Sequence, residues 1–469
     1  DVGVRVRRDA TDLEQSAAAQ LDALFEQRSS SPAGGHAFRI VLGVCDDAGA
    51  VNGVHVIDPA TLRALPNSGQ AYAIKPVGDN ALYLTAIDAR GVFYAARTLC
   101  QLLERDLTDE KVVIPLAEVL DWPDLQERGE WGGSCMRDIE WLASYKMNLI
   151  EPDAQLRVNE DGTGTATTAT DRLHAAKLHA LNYVPHITHM EHLTMAGLYE
   201  AYPELRGVGE KANYQTLYAP CASKPQFAKV LADFMDDLAS IEGITDICAW
   251  LSETHLQCGC DDCMAAGQYA LEARSLVNAW RIAREKHPDI RLRILLTQGS
   301  YESNDKVLAE IPPEVGVTYY DGGRTYDSSK EPMIYPLLEE FAGKGGWLGC
   351  YPQLTASWRI VCPWTGPQFI HARMNEFVDK KLSCLCGYAT PDNRPYAFNI
   401  IAAAEWSWNA KGRTPREFAA AWATREGLAD PDAVAEWAMR MGDVGWNLYG
   451  SRVPYSAFFG GAAASVKQR

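Results

Sequence analysis

Residues 249–263, AWLSETHLQCGCDDC, set a glutamate, a histidine and three cysteines in one short run. The run opens apolar, as a buried strand does, and ends in groups that move protons or bind metals. Glu253 closes that strand, where loss of water raises a carboxyl's pKa, the property a general acid needs. Cys258, Cys260 and Cys263, with His255 three residues before the first, offer four ligands to one tetrahedral zinc. Cys221, further upstream, is the alternative fourth ligand. A disulfide plus a free thiol, and three inert cysteines, remain the competing readings. A zinc closed by four protein ligands has no open position, so its expected role is structural, pinning the loop that aims Glu253, and catalysis needs no cofactor.

A second cluster, HITHMEHL, holds His186, His189, Glu191 and His192. His189 and His192 lack further ligand partners in sequence. They are therefore read as sugar-binding groups or as partners of Glu253.

These residues need elements to position them. Short apolar segments at 126–133, 147–150, 180–187, 245–251, 291–296, 316–320, 346–351 and 383–388 read as strands, and helical runs such as 224–241, 269–287 and 370–382 separate them. That repeat predicts a (β/α)₈ TIM barrel, whose chemistry gathers where the strands end. A doubly wound sheet is the rival, but no glycine-rich phosphate loop follows the first strand. Residues 1–120, with an amphipathic helix, a strand, a hairpin turning at Gly78-Asp79-Asn80 and a second helix, read as a small α/β domain preceding a barrel at 121–460. Past the strand ends lie Glu151 and Asp153, the histidine cluster, Ser252 and Glu253, Gln298 and Tyr301, Asp321, Arg324 and Tyr326, Trp358 and Trp364, Asp392, Asn393 and Arg394, then Glu405, Trp406 and Trp408. Carboxylates, histidines and tryptophans on one rim suit glycoside cleavage, in which paired carboxyls protonate the leaving group and stabilise an oxocarbenium-like charge.

Composition narrows the partners. The 44 Lys+Arg against 61 Asp+Glu leave a net charge of −17, which disfavours nucleic acid and anionic membranes. The 13 Trp and 20 Tyr suit stacking on sugar rings, and equally a large core. No apolar window is long enough to span a bilayer. The chain opens at Asp1 without a signal-like segment and reads as trimmed; the compartment stays open, with a periplasmic or secreted location one reading. The oligomeric state is open.

The path VVIPLAEVLDWPDLQERGEW, YKMNLIEPD, LNYVPHITHMEHL and ICAWLSE resembles the β-N-acetylhexosaminidases of glycoside hydrolase family 20, with their D-x-P-x-x-x-x-R-G opening and K-x-N before strand two. NALYLTAIDARGVFYAARTLCQLLE is similar to the small domain preceding that barrel. The resemblance implies that Arg128 binds the sugar, that Glu253 is the general acid, and that Glu405 holds sugar hydroxyls. Asp153, His189, His192, Tyr301, Trp358 and Trp406 complete the expected substrate contacts. One position departs: the family's aspartate before the acid, which orients the substrate acetamide as nucleophile, is Ser252 here. Asp321, Glu151 or Asp153 takes its place, a carboxylate attacks directly, or activity is lost. The rival functions are a catalytically weakened carbohydrate-binding protein and a hydrolase of another sugar, such as an α-glucuronidase.

Overall fold

Eight parallel strand positions close into a ring. The first strand, Glu127–Trp131, pairs on one side with the second, Leu149–Glu151, and on the other with the eighth, Cys384–Tyr388. The third strand comes in two pieces: Asn182–Tyr183 pairs with the second strand, and His186–Ile187 with the fourth, Asp246–Trp250. Pro185 sits at the break; it has no N–H to donate, and its carbonyl accepts from Cys248. The fifth, sixth and seventh strands, Arg291–Leu296, Gly316–Tyr319 and Leu348–Cys350, complete the ring. The structure, a computed structural model, describes residues 2–28, 37–104, 107–108, 112–321, 331–354, 366–389 and 393–449. All eight strands fall where the apolar segments predict them, and helices Pro225–Ala239, Gln268–Arg284 and Pro367–Asp379 lie in the expected intervals.

Strand alternation divides the side chains into two cores. Leu149, Val184, Cys248, Trp250, Leu295, Tyr351, Cys384 and Cys386 fill the lumen, while their sequence neighbours pack outward under the helices. Gly129 lets strands one and two approach, because a Cβ there would collide with the Leu149 carbonyl. One charged layer crosses the lumen. Arg293 pairs with Glu127 and, at 3.0 Å, with Asp246, and its guanidinium lies 4.5 Å from the Trp347 ring centre.

Ahead of the barrel, strands Val2–Val6, Phe38–Val44, Ala81–Ala86, Tyr72–Pro76 and Val119–Asp121 form a sheet in that order, antiparallel only at its last two joins. Helices Asp12–Arg28 and Ala89–Leu103 pack against each other and cover it. Arg128 connects this sheet to the barrel's outer face. Its guanidinium donates to Gln70 Oε1 at 3.0 Å, to the Leu125 carbonyl at 2.7 Å and to the Lys146 carbonyl at 2.8 Å, with Trp408 5.0 Å away. This corrects the expected sugar-binding role: Arg128 follows Glu127 on the strand and so faces away from the lumen, with its donors already engaged. No described helix is long and apolar enough to cross a membrane.

Arg293→Met would leave Glu127 buried without its counter-charge, while Asp246 keeps Arg291 at 2.6 Å. Breaking such a pair costs about 3–5 kcal/mol, so urea unfolding should show a loss of that order; a loss below about 1 kcal/mol would mean that the pairing contributes little.

Candidate active site at the barrel mouth

The fourth strand ends in a turn whose backbone is gripped by two buried carboxylates. Glu191 Oε1 accepts from the backbone N–H groups of Glu253 and Thr254, each at 2.9 Å, and from the Thr254 hydroxyl at 3.0 Å. Glu272, on the helix Gln268–Arg284, accepts from the Ser252 N–H at 3.0 Å and its hydroxyl at 2.7 Å. Thr297, past strand five, donates to the Ser252 carbonyl. The turn therefore has little freedom, and it holds the half-buried Glu253 side chain at the mouth. Ser252 is buried and spends its hydroxyl on Glu272, away from any substrate.

His189 faces Glu253, with Nε2 3.9 Å from Oε2. Its Nδ1 lies 2.7 Å from the Leu251 carbonyl, which only accepts, so the network assigns the ring proton to Nδ1 and leaves Nε2 bare in the neutral ring. His192 packs edge-on to His189 at 5.4 Å, and burial followed by His189's charge lowers its pKa.

Deeper in the lumen, Glu151 accepts from Trp250 Nε1 at 3.0 Å and from the Tyr351 hydroxyl at 2.6 Å. Burial, with Cys248 and Glu151 nearby, pushes Tyr351's pKa well up, so it remains a donor. His186 stacks on Trp250 with ring centres 3.9 Å apart, and its two nitrogens lie 4.0 Å from Glu151 and 2.9 Å from the exposed Asp153. The 2.9 Å approach is off the ring N–H direction. Even so, His186 holds the Asp153 carboxyl below its usual range. Trp131 and Tyr388, 5.1 Å apart, add aromatic wall.

Glu151, Asp153, His189, His192 and Glu253 therefore come together with His186 and Trp250. Asp321, at the end of strand six, accepts from the Tyr319 hydroxyl at 3.2 Å, and Tyr301 joins the same aromatic group through Tyr335 at 4.9 Å. Other expectations are corrected. Glu405 pairs with Arg413 at 2.6 Å and lines a cavity of about 930 Å³ with Asp121 and Lys146, on the small-sheet side. Trp406 is wholly buried among C-terminal helices and donates to the Arg413 carbonyl. Both lie on the helix Ala397–Trp408, beyond the last strand end. His255 is exposed, and the residue that joins Cys258, Cys260 and Cys263 is Cys221. Trp358, with Arg324, Tyr326, Trp364 and Asp392, lies outside the described residues. Sequence reasoning passed over Glu272, because the helical spacing of YALEARSLVNAW marks it as core, and gave Glu191 no role of its own.

Glu191→Ala would strand three donors, each buried unmet group costing about 1–3 kcal/mol; Glu191→Gln keeps an acceptor oxygen for them. The alanine variant should lose several kcal/mol in urea unfolding and exchange its 253–254 amides faster, while glutamine stays near the parent; equal behaviour of the two would refute the grip. Burial pushes Glu272 up to about 7 against the hydrogen bonds from Ser252 and Gln268. The folded chain then binds a proton that the unfolded chain releases near 4.5. Its contribution is full below that value and should be lost as pH rises through about 7. Glu272→Gln should flatten that part of the stability–pH curve, and an unchanged slope would show that Glu272 titrates normally.

No protein-family model and no curated protein matches the sequence. Solved structures do match. An enzyme of glycoside hydrolase family 138 targeting pectin rhamnogalacturonan II superposes with a TM-score of 0.67 at 10% identity over 96% of this chain and 56% of its own. A family 115 4-O-methyl-α-glucuronidase with specificity for decorated arabinogalactans gives 0.67 at 15% identity, over 94% and 62%. The β-N-acetylhexosaminidase of Bacteroides fragilis gives 0.60 at 14% identity, over 94% and 92%. The chain thus spans less than two thirds of the first two structures and nearly all of the third. At these identities the likeness is one of fold: a barrel behind a small α/β domain, the architecture these glycoside hydrolases share.

Proposed function

We propose that the protein is a glycoside hydrolase in which Glu253 protonates the leaving group, and that its substrate carries a β-linked N-acetylhexosamine. The observation that carries this reading is the fixed exit of strand four, where Glu253 stands on an immobilised turn facing the bare nitrogen of His189. An acid is useful only if it is held where the glycosidic oxygen will be and keeps a proton to give. The Glu191 grip supplies the first condition, and His189 stands beside the carboxylate with Nε2 3.9 Å from Oε2. The tryptophans and tyrosines of the mouth supply apolar faces for a pyranose ring.

A substrate acetamide acting as nucleophile needs a carboxylate to steady its developing positive charge in a dry pocket. Ser252 is excluded from that role by its bond to Glu272. Glu151 is better placed than Asp321, because it sits in the aromatic lumen and its two bound donors leave carboxylate lone pairs free. Asp153, tied to Glu151 through His186, offers an exposed carboxylate at the rim. The same serine motivates a second reading, a hydrolase of a sugar without an acetamide, such as an α-glucuronide. Arg128 gives that reading no support, since its guanidinium is engaged under the small sheet.

Glu253→Gln should reduce turnover of a natural glycoside by roughly 10²–10⁴, the usual worth of acid–base catalysis, and affect an activated aryl glycoside less. Equal rates on the natural substrate would remove Glu253 from the role. Hydrolysis of an aryl β-N-acetylglucosaminide, with strong inhibition by a thiazoline mimic of the cyclised intermediate, is expected. Hydrolysis of an aryl glucuronide alone would select the second reading, and hydrolysis of neither a sugar-binding role.

A further inference from the structure

Cys258, Cys260 and Cys263 are joined by a partner 37 residues upstream of Cys258. The sulfurs of Cys221, Cys258, Cys260 and Cys263 all lie within 4.8 Å of one another. Cys221 Sγ is 3.6 Å from Cys260 and 4.0 Å from Cys263. A tetrahedral zinc with Zn–S bonds of about 2.3 Å sets its sulfurs roughly 3.8 Å apart. A disulfide instead draws two sulfurs to about 2.05 Å and has no use for a third or fourth. Cys221, Cys258 and Cys263 are buried and Cys260 is partly so.

Hydrogen-bond donors surround the sulfurs. The Cys263 backbone N–H faces the Cys260 sulfur, the Ser223 backbone N–H faces that of Cys263, and the Ser223 hydroxyl lies 3.4 Å from Cys221 and 3.8 Å from Cys260. The cluster also reaches the mouth through hydrogen bonds. Gln268 accepts from the Cys258 N–H at 3.0 Å and donates to the Pro220 carbonyl at 2.9 Å and to Glu272 at 2.8 Å. Glu272 in turn holds Ser252, next to Glu253.

We infer that Cys221, Cys258, Cys260 and Cys263 bind one zinc ion as four thiolates, and that this ion clamps the loop after strand four through Gln268 and Glu272. Binding exchanges the thiol protons for the metal and involves no redox change. With four protein ligands the zinc has no open position, so its role is structural. The inference does not depend on the proposed glycosidase activity, because metal content is read without substrate.

Full-length protein purified without added zinc or chelator should contain one zinc per chain by elemental analysis, released when a mercurial titrates the thiols. Cobalt exchanged into the site should show the intense visible bands of a tetrahedral thiolate complex. Zinc near zero, iron in its place, or a Cys–Cys bond in the mass spectrum of the native protein would overturn the assignment. Cys221→Ser should lose the ion and Cys45→Ser, in the small sheet, should keep it; parent metal content decides the matter if the first variant fails to fold. Chelation should speed amide exchange at Ser252, Glu253 and Thr254 by tenfold or more, and unchanged exchange there would overturn the clamp.

Discussion

A carboxylate removed from water must be given donors, and at this barrel's mouth the donors are the backbone of the strand-four turn. Glu191 and Glu272 hold Ser252, Glu253 and Thr254 through five hydrogen bonds from opposite sides. The bonds satisfy the acids and fix the turn in one geometry. Charge-assisted bonds of this kind are stronger than neutral ones, so the position of Glu253 depends on them more than on its own side-chain contacts. The Gln268 bridge then carries the same constraint outward to the cysteine cluster.

The lumen repeats this arrangement at two depths. Near the strands' N-terminal ends Arg293 answers Glu127 and Asp246 with an opposite charge; near the mouth Glu151 is answered by the neutral donors of Trp250 and Tyr351. The difference matters chemically. A charge pair neutralises its acids and makes a structural layer, whereas Glu151 is met by the neutral donors of Trp250 and Tyr351. His186 connects that acid to Asp153, and Trp250 lies against both His186 and His189, so the two halves of the mouth share one aromatic wall.

The serine before Glu253 has a consequence beyond its own position. An aspartate there would point a second carboxylate at the acid's partner groups. Ser252 instead turns toward the helix and gives its hydroxyl to a buried glutamate, which makes it part of the scaffold. In the proposed reaction, whatever steadies positive charge must come from another strand, and Glu151 is the carboxylate proposed for it.

The sequence alone determined the barrel and the place of Glu253 at its mouth, because both are local: eight apolar segments of strand length recur between helical runs, and Glu253 follows one of them directly. Proximity of Glu151, Asp153 and the histidines was legible for the same reason, since they too follow strand ends. Direction was not. Arg128 lies in a strand motif, yet register around the closed ring turns it outward to Gln70 and Lys146. Glu405 and Trp406 follow the last strand on a helix whose packing turns them to Arg413 and the C-terminal helices. His255 is near the cysteines in sequence, but chain folding brings Cys221 to the sulfur cluster and leaves the histidine in solvent. Glu272 reads as a core position of an amphipathic helix, and only the packing of that helix against the strand-four turn makes it the acceptor that fixes the site. Spacing along the chain states which groups are available, and closure of the ring decides which way each one points.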